Sequence, residues 1–190
     1  ANNIAKWDGS TWSALGSGIS GVGHYYGVMA LAVTGTDLYV GGDFTTAGGV
    51  TANDVAKWDG SNWSPVGSGM GPVKPGAMSW VWSLALTGTD LYAGGFFGTA
   101  GSVAANHLAK WDGSTWAALG SRVSDAHADV LALGGIGSAL YVGGGVDNAG
   151  GVSALSVAEC AGGRWSALGG GLCGGVGALA GWASFRVGGE

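Results

Sequence analysis

Short apolar runs alternate along this chain with breaks rich in Gly, Thr, Asn and Asp. Val28-Met29-Ala30-Leu31-Ala32-Val33 is the clearest, partly β-branched, and Thr34-Gly35-Thr36-Asp37 has the composition of the tight turn that ends it. Leu38-Tyr39-Val40-Gly41-Gly42 reads as a second strand, whose glycines admit a neighbouring backbone. Phe44 to Asn53 reads as a longer connection, and Asp54-Val55-Ala56-Lys57-Trp58 as a third strand. Asp59-Gly60 predicts a type I′ hairpin turn, which needs positive φ at both central positions. Asn62-Trp63-Ser64-Pro65-Val66-Gly67 is the fourth strand, and Pro65, without a ladder donor, suits an outer edge. No window sustains a 3.6-residue period, so helices are not expected.

The pattern repeats. Trp7-Asp8-Gly9-Ser10-Thr11-Trp12 returns as Trp58-Asp59-Gly60-Ser61-Asn62-Trp63, as Trp111-Asp112-Gly113-Ser114-Thr115-Trp116 and, worn, as Cys160-Ala161-Gly162-Gly163-Arg164-Trp165, at steps of 51, 53 and 49 residues. Four short antiparallel strands in a unit of that length predict an all-β fold, a β-propeller of four-stranded blades. The units run over 28–69, 80–120 and 129–169, in one domain spanning 1–190. A parallel β-helix is the rival architecture, but its coils are usually shorter and lack hairpin turns.

Chain ends fall at matching points of the repeat. Ala1 to Trp7 aligns with Ala52 to Trp58, and Val187-Gly188-Gly189-Glu190 with Val40-Gly41-Gly42-Asp43. Residues 1–18 with 174–190 are therefore expected to complete a closing fourth blade, with paired edges. The competing expectation is that the chain is a portion of a larger propeller or a processed product.

The Leu-Tyr-Val-Gly-Gly strand followed by Ala-Lys-Trp-Asp-Gly-Ser-x-Trp resembles a kelch-type blade. It is similar to the Gly-rich repeats of bacterial secreted or surface proteins and to the central propeller of galactose oxidase. The resemblance covers 1–172 well, with the double glycine at Gly41-Gly42, Gly94-Gly95, Gly143-Gly144 and Gly188-Gly189. It implies a propeller and an extracellular or cell-surface setting. It does not imply an activity, because propellers host enzymes, lectins and scaffolds.

Composition narrows the function classes. With 47% hydrophobic and 10% charged residues, and ten Trp, the chain can bury enough apolar surface to fold. A net charge of -5 with only seven Lys and Arg leaves no basic stripe for nucleic acid. No apolar run approaches the roughly 18 residues of a membrane span. Cys160 and Cys173 stand as either a disulfide or two free thiols.

In an antiparallel meander, connections one-to-two and three-to-four share one end, and two-to-three and four-to-one the other. The first set is tight and uniform; the second is long and varied. The varied end collects His24, Tyr25, Tyr26, Lys74, Trp80, Trp82, Arg122, Asp125, His127 and Asp129 as candidate ligand-binding residues. Aromatic rings beside carboxylates suit a sugar face, or a hot spot for a protein partner, in a chain that forms part of a larger assembly. The Trp pairs Trp7/Trp12, Trp58/Trp63 and Trp111/Trp116 read as structural packing, with one lectin site per blade as the alternative. Asp8, Asp59 and Asp112 read as turn residues rather than Ca²⁺ ligands.

Catalytic signals are sparse. His24, His107 and His127 form no zinc spacing, and no Gly-x-Ser-x-Gly elbow precedes a helix. Asp43 and Glu190 share a repeat position, a weak echo of paired glycosidase carboxylates. The Tyr, His and Cys set of kelch-related copper oxidases is not matched. No metal or cofactor is expected. The reading is a non-enzymatic extracellular binding or scaffold module, with a carbohydrate-binding lectin as alternative and a hydrolase or lyase domain behind it.

Overall fold

The hairpin signals translate into strands throughout the computed structural model, which describes residues 1–23, 27–119, 129–172 and 176–179. Every regular element among the described residues is a β-strand, so the fold is all-β. An N-terminal hairpin pairs β1 (Ala5–Trp7) with β2 (Trp12–Ala14), and β3 (Ile19–Ser20) follows it. The first full sheet combines β4 (Gly27–Thr34) and β5 (Asp37–Asp43) with β8 (Val55–Trp58) and β9 (Trp63–Pro65). Between β5 and β8 lies a miniature hairpin, β6 (Thr46–Ala47) and β7 (Val50–Thr51). After β10 (Met70–Gly71), the second sheet repeats the order with β11 (Trp80–Thr87), β12 (Asp90–Phe96), β15 (Leu108–Trp111) and β16 (Trp116–Ala118). Its miniature hairpin is β13 (Thr99–Ala100) with β14 (Val103–Ala104). The third sheet comprises β17 (Val130–Ile136), β18 (Ala139–Gly144), β21 (Val157–Ala161) and β22 (Arg164–Ala167). Its own miniature hairpin is β19 (Asn148–Ala149) with β20 (Val152–Ser153).

All pairings are antiparallel, and Pro65 sits in an edge strand as its missing N–H requires. Two local expectations are corrected. Asp59-Gly60 does not form a two-residue type I′ turn: Trp58 pairs with Trp63, so the loop holds the four residues between them, and only Gly60 of the dipeptide has positive φ. The Asp59 side chain closes that loop by accepting the N–H of Ser61 at 2.8 Å and of Asn62 at 2.7 Å. The 44–53 connection is not a plain loop either, since it contains the β6–β7 hairpin. That hairpin is stabilised non-locally, by β3 pairing onto β6 and, in the next unit, β10 onto β13.

Each sheet packs on the next through its first strand, β4 against β11 and β11 against β17. The glycine of the second strand makes that approach possible. A Cβ on Gly41 would lie 2.6 Å from Val81 Cγ1, and one on Gly94 would collide with Val130. Val176 takes the same place over Gly143, at 2.6 Å from such a Cβ. The core is correspondingly segmented, each apolar cluster drawing on neighbouring units; Val55, Val66 and Met70 join Val81, Leu91 and Phe97 in one of them.

Tryptophans pin the seams between units. Trp63 Nε1 donates to Leu15 O at 2.8 Å, and Trp116 Nε1 to Val66 O at 3.0 Å, both buried. Trp12 is their counterpart in the first copy, but no unit precedes it among the described residues, and it is 69% exposed. Of the closing segment expected over 174–190, only 176–179 is described, and it forms no strand; the rest lies outside the described residues. No sheet closes on itself among those described.

Candidate functional site

The tight-turn end is self-satisfied. Asp8, Asp59 and Asp112 each accept backbone N–H groups from two and three residues ahead, which holds their carboxyls below the usual range. Lys57 and Lys110 are engaged by Asp37 at 3.0 Å and Asp90 at 2.8 Å. A hollow of ≈ 630 Å³ between the second and third sheets is lined by Asp90, Tyr92, Lys110 and Trp165. A smaller one of ≈ 220 Å³, with Tyr39, Lys57 and Trp111, stands at the same place between the first and second. Their recurrence, with charges already paired, marks these hollows as seams of the architecture.

The opposite end differs. Its backbone frame is the same in all three sheets: Asp54, His107 and Ser156 each precede the third strand in a left-handed conformation, with φ of 62°, 73° and 77°. Their carbonyls accept the N–H of Gly42, Gly95 and Gly144, and their own N–H groups reach Phe44, Phe97 and Val146. All three side chains are buried and polar, yet chemically different. Asn3, with φ of 59°, shares the conformation, which Asn, Asp and His tolerate better than most residues, so it belongs to the repeat frame.

Around the first of them lies a hollow of ≈ 420 Å³, lined by Gly23, Asp43, Phe44, Asn53, Asp54, Met70, Pro72, Met78 and Ser79 among others. Asp43 ends β5, and the β5–β8 pairing sets Asp54 beside it. Asp54 is 5% exposed and Asp43 8%. Burial pushes the Asp54 carboxyl up to about 7, with the neighbouring Asp43 adding to the rise and the Ser79 hydroxyl, donating at 2.5 Å to Oδ2, opposing it. Asp43 Oδ2 is buried with no hydrogen-bond partner. Gly23 lies so close over Asp43 that any side chain there would strike the carboxylate.

A cluster of aromatic rings begins with the residue after Ser79. Trp80 stacks on Phe96 at 5.0 Å and 28°, meets Trp82 edge-on at 6.0 Å, and Phe96 tilts onto His107 at 5.5 Å. His107 Nδ1 lies 3.2 Å from Gly95 O, so it carries the proton there, and burial lowers the imidazole pKa despite the opposing pull of Gly95 O and Asp129.

Of the sequence candidates, Trp80 and Trp82 stand together on β11, Asp129 influences His107, and Lys74 is exposed on the connection after β10. His24, Tyr25, Tyr26, Arg122, Asp125 and His127 lie outside the described residues, as does Glu190. Sequence reasoning missed Asp54 and Ser79 and left Phe96 and His107 without a binding role. One signal was present: Asn3, Asp54, His107 and Ser156 occupy a single repeat position that is polar in every copy.

Cys160 is a buried free thiol, its pKa raised chiefly by burial; Cys173 lies outside the described residues. No helix among the described residues is long and apolar enough to cross a membrane. No family model matches this chain, and no curated protein matches it either.

Proposed function

We propose that this chain is a kelch-like β-propeller module, extracellular or at a cell surface, that binds a protein partner through its long-connection end and does not itself catalyse a reaction. One observation carries the reading. Three copies of one backbone frame present buried polar side chains that differ from copy to copy, Asp54, His107 and Ser156, while the opposite end repeats the same satisfied turns. Uniform turns maintain an architecture; individual side chains on a common frame suit recognition. The stacking of Val176 over Gly143, in the manner of Val81 over Gly41, supports continuation into a fourth unit.

A lectin is the second reading, favoured by the stacked Trp80 and Phe96. Binding to parallel peptide and glycan arrays separates the two. The expected result is retention on peptides, reduced by Trp80→Ala and unchanged by the turn variant Asp112→Asn. Retention on glycans alone would transfer the assignment to a lectin. Loss with Asp112→Asn but not Trp80→Ala would put binding at the wrong end and overturn both.

A further inference from the structure

We propose that the hollow around Asp43 and Asp54 is a receptor for a guanidinium group, the side chain of an arginine on a peptide segment of the partner. The proposal rests on the protein-binding reading above and names the chemistry of its anchor. Asp43 supplies the primary observation: this residue lines the hollow, and one of its carboxylate oxygens is buried with no hydrogen-bond partner. An orphaned buried acceptor is costly, and a carboxylate more so than a neutral group. A second buried carboxyl, Asp54, lies beside it and aggravates the cost. What the site lacks is positive charge with N–H donors.

The shape of the hollow selects among cations. A bare divalent ion such as Ca²⁺ requires six or more oxygens in a tight cage. Here ≈ 420 Å³ of space is walled partly by Phe44, Met70, Pro72 and Met78, and the described residues hold no group of three or more His, Cys, Asp or Glu placed for a metal. Apolar walls with two acids among the lining residues match an aliphatic stem ending in a charged fork. Guanidinium fits better than ammonium, because its planar set of donors can reach two carboxyl groups at once and it gives up water more readily. The methionines are able to adapt around the stem. A net charge of -5 on the whole chain favours encounter with a basic segment.

Amide NMR spectra of the whole chain, recorded during titration with acetyl-Gly-Arg-Gly-amide, test this directly. Saturable shifts are expected at Asp43, Asp54 and Ser79. The citrulline counterpart, equal in shape and uncharged, should bind at least about tenfold more weakly, as should the arginine peptide to Asp43→Asn. Asp43→Asn removes a buried orphan charge and keeps the side-chain volume, so the fold is expected to survive, with the dispersion of the amide spectrum as the check. Equal binding of the citrulline peptide, or no saturable shift, would overturn the proposal. So would saturable shifts with CaCl₂ in place of the peptide, which would make the hollow a cation site. A partner peptide selected on the array that binds wild type and Asp43→Asn alike would leave the rim as a binding surface while removing the arginine anchor.

Discussion

Replacing Asp54 with Asn isolates the energetic consequence of the buried acid. Asn accepts the Ser79 hydroxyl just as Asp54 does at 2.5 Å, and it tolerates the φ of 62°. The carboxyl is raised in the folded chain from 3.8 to about 7, so the folded state holds its proton more tightly than the unfolded one. Its stabilising contribution is therefore complete below pH 3.8, declines as pH rises, and is lost once pH passes about 7. At about 1.4 kcal/mol per unit, the ceiling is on the order of 4 kcal/mol. Asp54→Asn, neutral at every pH, should match wild type near pH 4 and exceed it by up to about that amount at pH 8. Urea denaturation followed by Trp fluorescence at intervals from pH 4 to 8 measures the difference, in which all other titrating groups common to both proteins largely cancel. A difference that stays flat with pH, or a variant less stable than wild type at pH 8, would refute the reasoning.

Other positions yield sharper contrasts. Trp116→Phe deletes the N–H donated to the buried Val66 carbonyl and should cost about 1–3 kcal/mol by chemical denaturation, whereas Trp12→Phe, at an exposed site, should change stability by less than about 0.5. Gly48→Ala places a methyl 2.5 Å from Trp63 Cδ1 at a φ of 60°, and should destabilise by more than about 2 kcal/mol. Gly49→Ala, with a φ of 86° and open space around it, should cost only about 1, a gap read from the two urea midpoints. The Cys160 thiol should react with a disulfide reagent at pH 8 far more slowly in the folded chain than in urea, because burial both shields it and disfavours the thiolate.

Local chemistry was sufficient to read the hairpins. Thr34-Gly35-Thr36-Asp37 does join two strands, and Pro65 does lie on an edge, since turn preference and a missing N–H act within a few residues. Reading failed where a side chain replaced a backbone rule, as at the Asp59-closed loop, and where a partner came from elsewhere, as at β6, which is held by β3 more than twenty residues earlier.

The period of the Trp-Asp-Gly copies and the alternation of apolar runs determined strand content, strand order within each unit and the division into a uniform and a varied end, because period and turn propensity are properties of contiguous residues. The meeting of Asp43, Asp54 and Ser79 was decided only in three dimensions. It requires β5 to pair with β8 and the connection after β10 to bring Ser79 onto Asp54, so that desolvation, which no single residue carries in its identity, acts on two ordinary acids and leaves one Asp43 oxygen without a partner.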